Sequence, residues 1–197
     1  MARRLALLLL VSALLPLTPA GAVTKEVTIG DNFFTPDAAG ITVGDSVHWT
    51  RGVGSINSHN VHEEGGLFHS GPTTTGPIDY EAVFSAGTFY YFCQFHGSAM
   101  DGFVRVPVRI KRAPDGRPFT VRWAAQASET GSVYDVQFRV GSGDWRKWKR
   151  DTAALNGVFG KNRWPVRVRN GVRYSFRARS QDGTVVSRWS PVRSFRP

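Results

Sequence analysis

The chain has 197 residues, a formal net charge of +10 at pH 7 and a single cysteine. One cysteine excludes a disulfide within the chain. Short runs rich in Val, Thr, Phe, Tyr and Trp are broken by Gly, Pro, Asp and Asn, and the absence of a helical period excludes a helical bundle. We therefore predict an all-β chain, long enough for two small domains.

Residues 1–22, MARRLALLLLVSALLPLTPAGA, have the layout of a cleavable signal peptide: two arginines, a leucine-rich run and small residues at the end. The apolar run is short for a membrane span and contains two prolines. Cleavage after Ala22 leaves a chain with no transmembrane segment, which we expect to be periplasmic, at the cell surface or secreted. Arg3 and Arg4 leave the general secretory and twin-arginine export routes both open.

Charge divides the remaining chain into two parts. Residues 23–109 carry four Lys or Arg against nine Asp or Glu, whereas residues 110–197 carry nineteen against six. All five histidines and the cysteine lie in the first part. The stretch 111–118, KRAPDGRP, has the charge, proline and glycine content of a linker. We predict one domain over 23–110 and a second over 119–197, with different roles.

The histidines of the first part stand in different contexts. His48 precedes Trp49 in a predicted strand, so it should lie on the surface while Trp49 faces the core. His59 and His62, in NSHNVHEE, follow a loop rich in Gly, Ser and Asn. Three further side chains near them are predicted to be solvated: Glu63, Glu64 and His69.

Cys93 ends the predicted strand AVFSAGTFYYFC, and His96 and Met100 follow on a predicted loop. Exported proteins usually pair their cysteines, so an unpaired one is a buried thiol, a partner in an intermolecular disulfide or a metal ligand. Together with His59, these residues offer a thiolate, two imidazoles and a thioether, the donor set of a blue copper site. Met100 is the only methionine left after the signal. We predict metal binding of one type 1 copper ion by His59, Cys93, His96 and Met100.

These motifs resemble those of the cupredoxins, the plastocyanin and pseudoazurin type of blue copper protein. The matching segments span about 25–110 and include ITVGD (41–45), HNV (59–61), CQFHGSAM (93–100) and DGFVRVPVRI (101–110). The resemblance implies a Greek-key β-sandwich and His59, rather than His62, as the first ligand. It also implies that Asn60, beyond the ligands themselves, ties the two ligand loops together by hydrogen bonds. The spacing between His96 and Met100 leaves the axial bond length open.

A closed site with four protein ligands has no open position for substrate, so we predict electron transfer rather than an enzyme. The expected exit route to a redox partner protein is the exposed edge of His96. An apolar collar should surround that edge, formed by Phe95, Gly97 and Ala99. Two alternatives stay open: an extracytoplasmic copper binding or delivery protein without a redox partner, and an adhesion protein that has lost its metal.

Residues 119–197 predict a second β-sandwich, because strand-like runs are separated by turn signals such as GSGD, RNG and QDGT. They resemble a fibronectin type III domain through Trp123, Tyr134 and Tyr174, the last as the corner tyrosine. Alternation in RYSFRARS predicts two faces. The core face should hold Tyr174, Phe176 and Ala178, and the other face Arg173, Ser175, Arg177 and Arg179.

The basic face of this second part has three interpretations. The first is a solvated face whose arginine stems cover apolar surface. The second is an attachment surface for an anionic partner: a cell-wall or envelope polymer, acidic polysaccharide or lipid headgroups. The third is a docking face for the acidic first domain. Nucleic acid is not expected as a partner of an exported chain. Without a histidine or cysteine, this part carries no sign of catalysis.

Overall fold

The computed structural model describes residues 21–113 and 118–197. The predicted signal peptide lies outside the described residues, except for its last two. Within the described ranges the regular elements are strands and one short 3₁₀ turn, Lys161–Arg163, so the all-β prediction is confirmed. None of the described elements is a helix long and apolar enough to cross a membrane.

Eight strands form the first β-sandwich. They are β1 (Thr24–Gly30), β2 (Phe33–Thr35), β3 (Ala38–Gly40), β4 (Ser46–Arg51), β5 (His62–Glu63), β6 (Asp79–Val83), β7 (Gly87–Cys93) and β8 (Gly97–Val106). One sheet has the order β2-β1-β4-β6 and the other β3-β8-β7-β5. The pairs β1/β4 and β3/β8 are parallel, and the other neighbours are antiparallel.

An aromatic core joins the two sheets of this sandwich. Trp49, on β4, is fully buried, and its ring centre lies 5.4 Å from that of Tyr91 on the facing strand β7. Phe68 stacks on the same tryptophan at 5.6 Å. Strand β7 alternates strictly between buried and half-buried positions, because its inner side chains enter this core and its outer ones do not. Cys93 therefore ends β7 on the buried face.

Eight further strands form the second β-sandwich. They are β9 (Arg109–Arg112), β10 (Phe119–Arg122), β11 (Val133–Val140), β12 (Arg146–Thr152), β13 (Asn156–Phe159), β14 (Tyr174–Asp182), β15 (Val185–Val186) and β16 (Arg193–Phe195). One sheet has the order β13-β10-β9 and the other β12-β11-β14-β15. Strand β16 pairs with the beginning of β14, on residues that β15 leaves open.

The second sandwich begins with strand β9, earlier in the chain than the predicted start at residue 119. Residues 109–110 were assigned to the first domain and residues 111–112 to the linker, but all four pair with β10 in antiparallel register. Pro107 follows the last residue of β8 and lacks the N–H that a continuing ladder needs. The chain therefore leaves the first sandwich at Pro107 and enters the second almost at once.

The second core is also aromatic. The predicted inward residues Tyr174, Phe176 and Ala178 are buried, and Phe159 packs on Phe176 with ring centres 4.8 Å apart. The Arg169 N–H donates a hydrogen bond of 2.9 Å to the Tyr174 hydroxyl. Ser175, predicted on the other face, is fully buried, and its hydroxyl lies 2.9 Å from that of Ser194 on β16. Membership in the fibronectin type III family stays a prediction.

The two sandwiches meet at the beginning of β7. The Ala86 N–H donates to the Trp123 carbonyl at 2.7 Å, and Thr88 and Arg188 exchange two backbone hydrogen bonds of 3.0 and 3.1 Å. A hydroxyl cluster lies fully buried between the domains and consists of Ser85, Thr130 and Ser180. At about 3.3 Å per residue, β7 spans roughly 20 Å. The second sandwich therefore contacts the end of β7 opposite to Cys93.

Candidate metal centre

Three predicted ligands converge at the end of the first sandwich that lies away from the second. His59, Cys93 and His96 offer ligand atoms that all lie within 4.8 Å of one another. His59 and Cys93 are fully buried, whereas His96 is half-buried. The convergence arises because Cys93 ends β7 and His96 lies in the tight turn to β8, while His59 comes from the long loop after β4.

The spacing of these atoms suits a metal ion between them. The Cys93 Sγ lies 3.9 Å from the His59 Nδ1. Metal–thiolate and metal–imidazole bonds are about 2.3 and 2.0 Å long, so a thiolate and an imidazole on one ion lie at most about 4.3 Å apart, a limit that Cys93 and His59 meet. The Nδ1 of His96 is buried and has no hydrogen-bond partner among the described residues. A buried nitrogen lone pair without a donor is costly to leave unused, and a metal ion would satisfy it.

The protonation state of His96 also suits metal binding. Burial of the ring lowers its pKa, and the nearby His59 adds a smaller lowering effect. The neutral imidazole, which is the form that binds metal, is therefore favoured near neutral pH. The rings of His59 and His96 have their centres 4.9 Å apart.

Asp31 fixes the orientation of His59, a role that nothing in its sequence context indicates. Its carboxylate lies 3.0 Å from the His59 Nε2, which leaves Nδ1 directed at the sulfur of Cys93. The His59 hydrogen bond, followed by that from the Asn57 N–H, holds the pKa of Asp31 well below its usual range. Asp31 thus stays ionised and favours the tautomer with the proton on Nε2.

The Asp31 carboxylate and the Arg51 guanidinium hold the loop that carries His59 through hydrogen bonds to its backbone. Asp31 accepts hydrogen bonds from the N–H groups of Ile56 and Asn57, each at 3.0 Å, while the Arg51 guanidinium donates to the carbonyls of Ser55, Asn57 and Thr74. Arg51 and Ile29 are paired residues on β4 and β1, so the sheet itself places these groups under the loop. The loop is held before any metal binds.

Asn60 joins the two loops that carry the proposed ligands. Its side-chain N–H groups donate to the Gln94 side chain at 2.8 Å and to the Gly71 carbonyl at 2.9 Å, and its oxygen accepts from the Gln94 N–H at 2.9 Å. Gln94 follows Cys93 directly, so this reciprocal pair sets the distance between His59 and Cys93. Asn60 is fully buried, where such bonds are shielded from water.

Met100 lies in a strand rather than on the predicted loop. It is the fourth residue of β8 and is buried, with 1% of its surface exposed. Asp101 pairs with Phe92 and Gly97 pairs with Cys93, so residues 98–100 form a bulge. Without the bulge, Met100 would pair with Cys93 directly. Both side chains lie on the buried face, which places the thioether on the side of the sheet that holds the thiol.

One member of the predicted collar, Phe95, contacts His96. Phe95 is 62% exposed and packs edge-on against His96, with ring centres 4.9 Å apart. Gly97 is half-buried and Ala99 is exposed. The loop held by Asp31 also carries two exposed apolar side chains, Val53 and Ile56.

Glu63, predicted to be solvated, is buried. Its register opposite Tyr91 turns the side chain to the inner face of the sheet. There the carboxylate accepts hydrogen bonds from the N–H groups of Gly65 and Leu67, at 2.8 and 3.1 Å. Glu64 is exposed as predicted, and it forms an ion pair of 2.8 Å with Arg188 of the second sandwich.

His48 lies half-buried on the outer face of β4, between two carboxylates. Its Nδ1 is 2.9 Å from Glu26 and its Nε2 is 2.5 Å from Asp79. The hydrogen bond to Asp79, followed by that to Glu26, raises the pKa of His48 above its ordinary value of 6.5. Protonated His48 donates to both carboxylates, and this role has no connection with the metal centre.

We expect His48 to make stability depend on pH. A raised pKa in the folded state means that its contribution is fully present below pH 6.5 and is lost as pH rises through the folded pKa. The difference in unfolding free energy between wild type and His48→Gln should thus be larger at pH 6 than at pH 9, as measured by urea unfolding. An equal difference at both pH values would contradict this assignment.

No protein-family model matches this chain, and no curated protein matches it. Among solved structures it is similar to amicyanin from Paracoccus versutus, with 29% identity over 45% of this chain and 84% of that one, and a TM-score of 0.35. A purple cupredoxin from Nitrosopumilus maritimus shares 27% identity over 42% and 98%, with a TM-score of 0.36. A mutant fern plastocyanin shares 20% over 41% and 98%, with a TM-score of 0.33. Because each TM-score is below 0.5, the assignment of the site rests on its own geometry.

Proposed function

We propose that this protein is a one-electron carrier with a single type 1 copper ion, bound by His59, Cys93, His96 and Met100. The observation that carries the proposal is the group of one thiol and two imidazoles, in which the His96 Nδ1 is buried and has no hydrogen-bond partner in the part of the chain that the structure describes. Copper supplies a one-electron couple between its cuprous and cupric states, and a set of soft sulfur and imidazole ligands suits both.

The residues around the site are suited to fast electron exchange. Asp31 and Asn60 hold the His59 and Cys93 loops in place, so little rearrangement is needed between oxidation states. His96 is the half-buried ligand, and its edge provides the route between the metal and a redox partner protein. The exposed Phe95 and Ile56 give that partner a small apolar contact of the kind that suits brief encounters. We place this activity outside the cytoplasm, because residues 1–22 resemble an export signal.

Spectroscopy of the copper-loaded chain tests the proposal. Cu(II) is added to the purified chain without residues 1–22, and visible and electron paramagnetic resonance spectra are recorded. An intense blue band with narrow copper hyperfine splitting is expected from a thiolate ligand. A pale spectrum with ordinary splitting would overturn the proposal, since it would show binding through imidazoles alone or none.

The rival function is copper delivery without a redox partner. His59 is fully buried and hydrogen-bonded to Asp31, which favours retention of the ion over rapid release. Copper content after repeated cycles with a chemical oxidant and reductant distinguishes the two. An electron carrier keeps its copper through the cycles, whereas a delivery protein loses it to a chelator present in the solution.

We propose that the second sandwich attaches the protein to an anionic envelope polymer. A cavity of about 330 Å³ on its outer face is lined by Lys147, Lys149, Arg150 and Arg179, from β12 and β14. Two carboxylates also line it: Asp135 pairs with Arg179 and Asp151 with Arg150, which leaves the two lysines as the unpaired cations among these lining residues. Above this cavity, Trp189 lies between Arg177 and Arg179, with guanidinium carbons 4.6 and 4.8 Å from its ring centre. The Trp189 ring and the two arginines stacked on it form a stiff cationic surface.

We expect Lys147→Glu/Lys149→Glu to weaken binding to an immobilised uronic-acid polymer. The two reversals replace attraction by repulsion at the cavity, so the chain should elute at lower salt than wild type. Lys111→Glu/Arg112→Glu, with the same change in charge on the other sheet, is the matched control and should elute at higher salt than the cavity variant. Equal elution of the two variants would mean that total charge alone drives binding.

A further inference from the structure

A pair of histidines lies outside the proposed copper site, on the edge of the first sandwich. His62, on β5, forms an antiparallel bridge with His69. The flanking hydrogen bonds run from the Ser70 N–H to the Val61 carbonyl, at 2.9 Å, and from the Glu63 N–H to the Phe68 carbonyl, at 3.1 Å. The bridged histidines are thus a non-hydrogen-bonded pair, the arrangement in which cross-strand side chains come closest.

The two rings face each other at the surface. Their centres lie 6.3 Å apart and their planes differ by 34°. His62 is half-buried against Phe92, with ring centres 5.8 Å apart, whereas His69 is exposed. Phe92 supports His62 from one side, so its ring has little freedom, and His69 is the member of the pair that can move.

We propose that His62 and His69 form a second metal site, which takes a borderline divalent ion such as Zn(II) or Cu(II). Imidazole is a preferred ligand of both ions. An imidazole bound at about 2.1 Å has its ring centre roughly 3.2 Å from the ion, so two rings on one tetrahedral ion have centres about 5 Å apart. A side-chain rotation that moves the ring centre of the exposed His69 by roughly 1 Å reaches that spacing. Such a movement occurs on the timescale of ordinary side-chain motion. Water completes the coordination.

The surrounding contacts permit this binding. The Gly71 N–H donates to the Nδ1 of His69 at 3.2 Å, in an exposed position. Binding of a metal through Nε2 places the ring proton on Nδ1, which can then no longer accept a hydrogen bond. The Gly71 N–H would donate to water instead. Glu64 forms an ion pair with Arg188 of the second sandwich, whose guanidinium also lies over the ring of Tyr90 on β7. The site is independent of the proposed copper site, because Phe92 points outward where Cys93 points inward.

Titration with Zn(II), followed by calorimetry and by the NMR signals of the histidine rings, tests the second site. The chain without residues 1–22 is expected to bind two zinc ions, and the weaker one should shift the rings of His62 and His69. His69→Gln should weaken the second event about tenfold or more and leave the first unchanged. Cys93→Ala should weaken only the first, so failure of the proposed copper site and failure of this site are distinguishable.

His48→Gln is the matched control, since it removes another histidine from the surface of the same domain. It should leave both binding events unchanged. The proposal is overturned if the weaker zinc ion shifts His48 instead of His62 and His69, or if His69→Gln binds the second ion as tightly as wild type. A chain that binds one zinc ion in total, with the rings of His62 and His69 unmoved, overturns it as well.

Discussion

Cys93→Ser is expected to remove the intense blue absorption of the copper-loaded protein and to leave the chain folded. The absorption requires a thiolate bound to copper, and a serine hydroxyl cannot replace it. Serine is close to cysteine in size, so the buried position next to the Ser58 carbonyl is retained. Burial of the extra polar group costs about 1–3 kcal/mol of stability. Visible spectra and thermal unfolding by circular dichroism measure both effects.

His62→Gln is the matched control for the assignment of the first histidine ligand. His62 lies on the outer face of the sheet and pairs with Phe92, away from the buried thiol. The variant should therefore keep the full blue band, whereas His59→Gln should lose it. An intensely blue Cys93→Ser protein, or a colourless His62→Gln protein, would contradict the ligand set.

Asp31→Ala should lower the affinity for copper by about 10- to 100-fold, the usual cost of removing a partner that orients a histidine ligand. The loss has two sources. The His59 ring is no longer held with Nδ1 toward Cys93, and the N–H groups of Ile56 and Asn57 lose their acceptor. Competition with a chelator of known affinity measures the change. Asp31→Asn keeps an oxygen acceptor without the charge, so its loss should be smaller.

Asp37→Ala is the control for Asp31, because it removes an exposed carboxylate from the same segment. It should bind copper as tightly as wild type, and an equal loss in both variants would point to net charge alone.

The lowered pKa of Asp31 sets the pH range of its effect on stability. The contribution is present above the ordinary pKa of 3.8 and is lost as pH falls through the lower folded value. The effect of Asp31→Ala on stability should thus be constant from pH 5 to pH 8.

The sequence predicted those features that depend on local pattern. Alternation in β7 placed Cys93 at the end of a strand, and His96 followed at once, so two of the donors were close by connectivity. In the second sandwich the same period of two in RYSFRARS predicted the two faces of β14 and placed Phe176 in the core, whereas β9, β13 and β15 were not predicted. These predictions needed no knowledge of which strands become neighbours.

Features that depend on pairing between distant segments were missed. Asp31 reaches His59 because β1 pairs with β4 in parallel, and nothing near Asp31 in the sequence indicates that pairing. Glu63 is buried because its register opposite Tyr91 turns it inward, and a shift of one residue would have exposed it. The bulge that places Met100 in β8 is likewise a property of the pair of strands, not of either one.

The shared boundary between the sandwiches has a thermodynamic consequence. Separation of the domains would expose the Ser85, Thr130 and Ser180 hydroxyls and break the backbone pair between Thr88 and Arg188. The two halves should therefore melt as a single cooperative unit. An ion bound only to the native first sandwich, at a free concentration of 100 times its dissociation constant, adds about 2.7 kcal/mol to the unfolding free energy of that unit. Under the proposed function, metal supply at one end of the molecule should therefore slow proteolysis of the basic module at the other end, as limited digestion with and without copper measures.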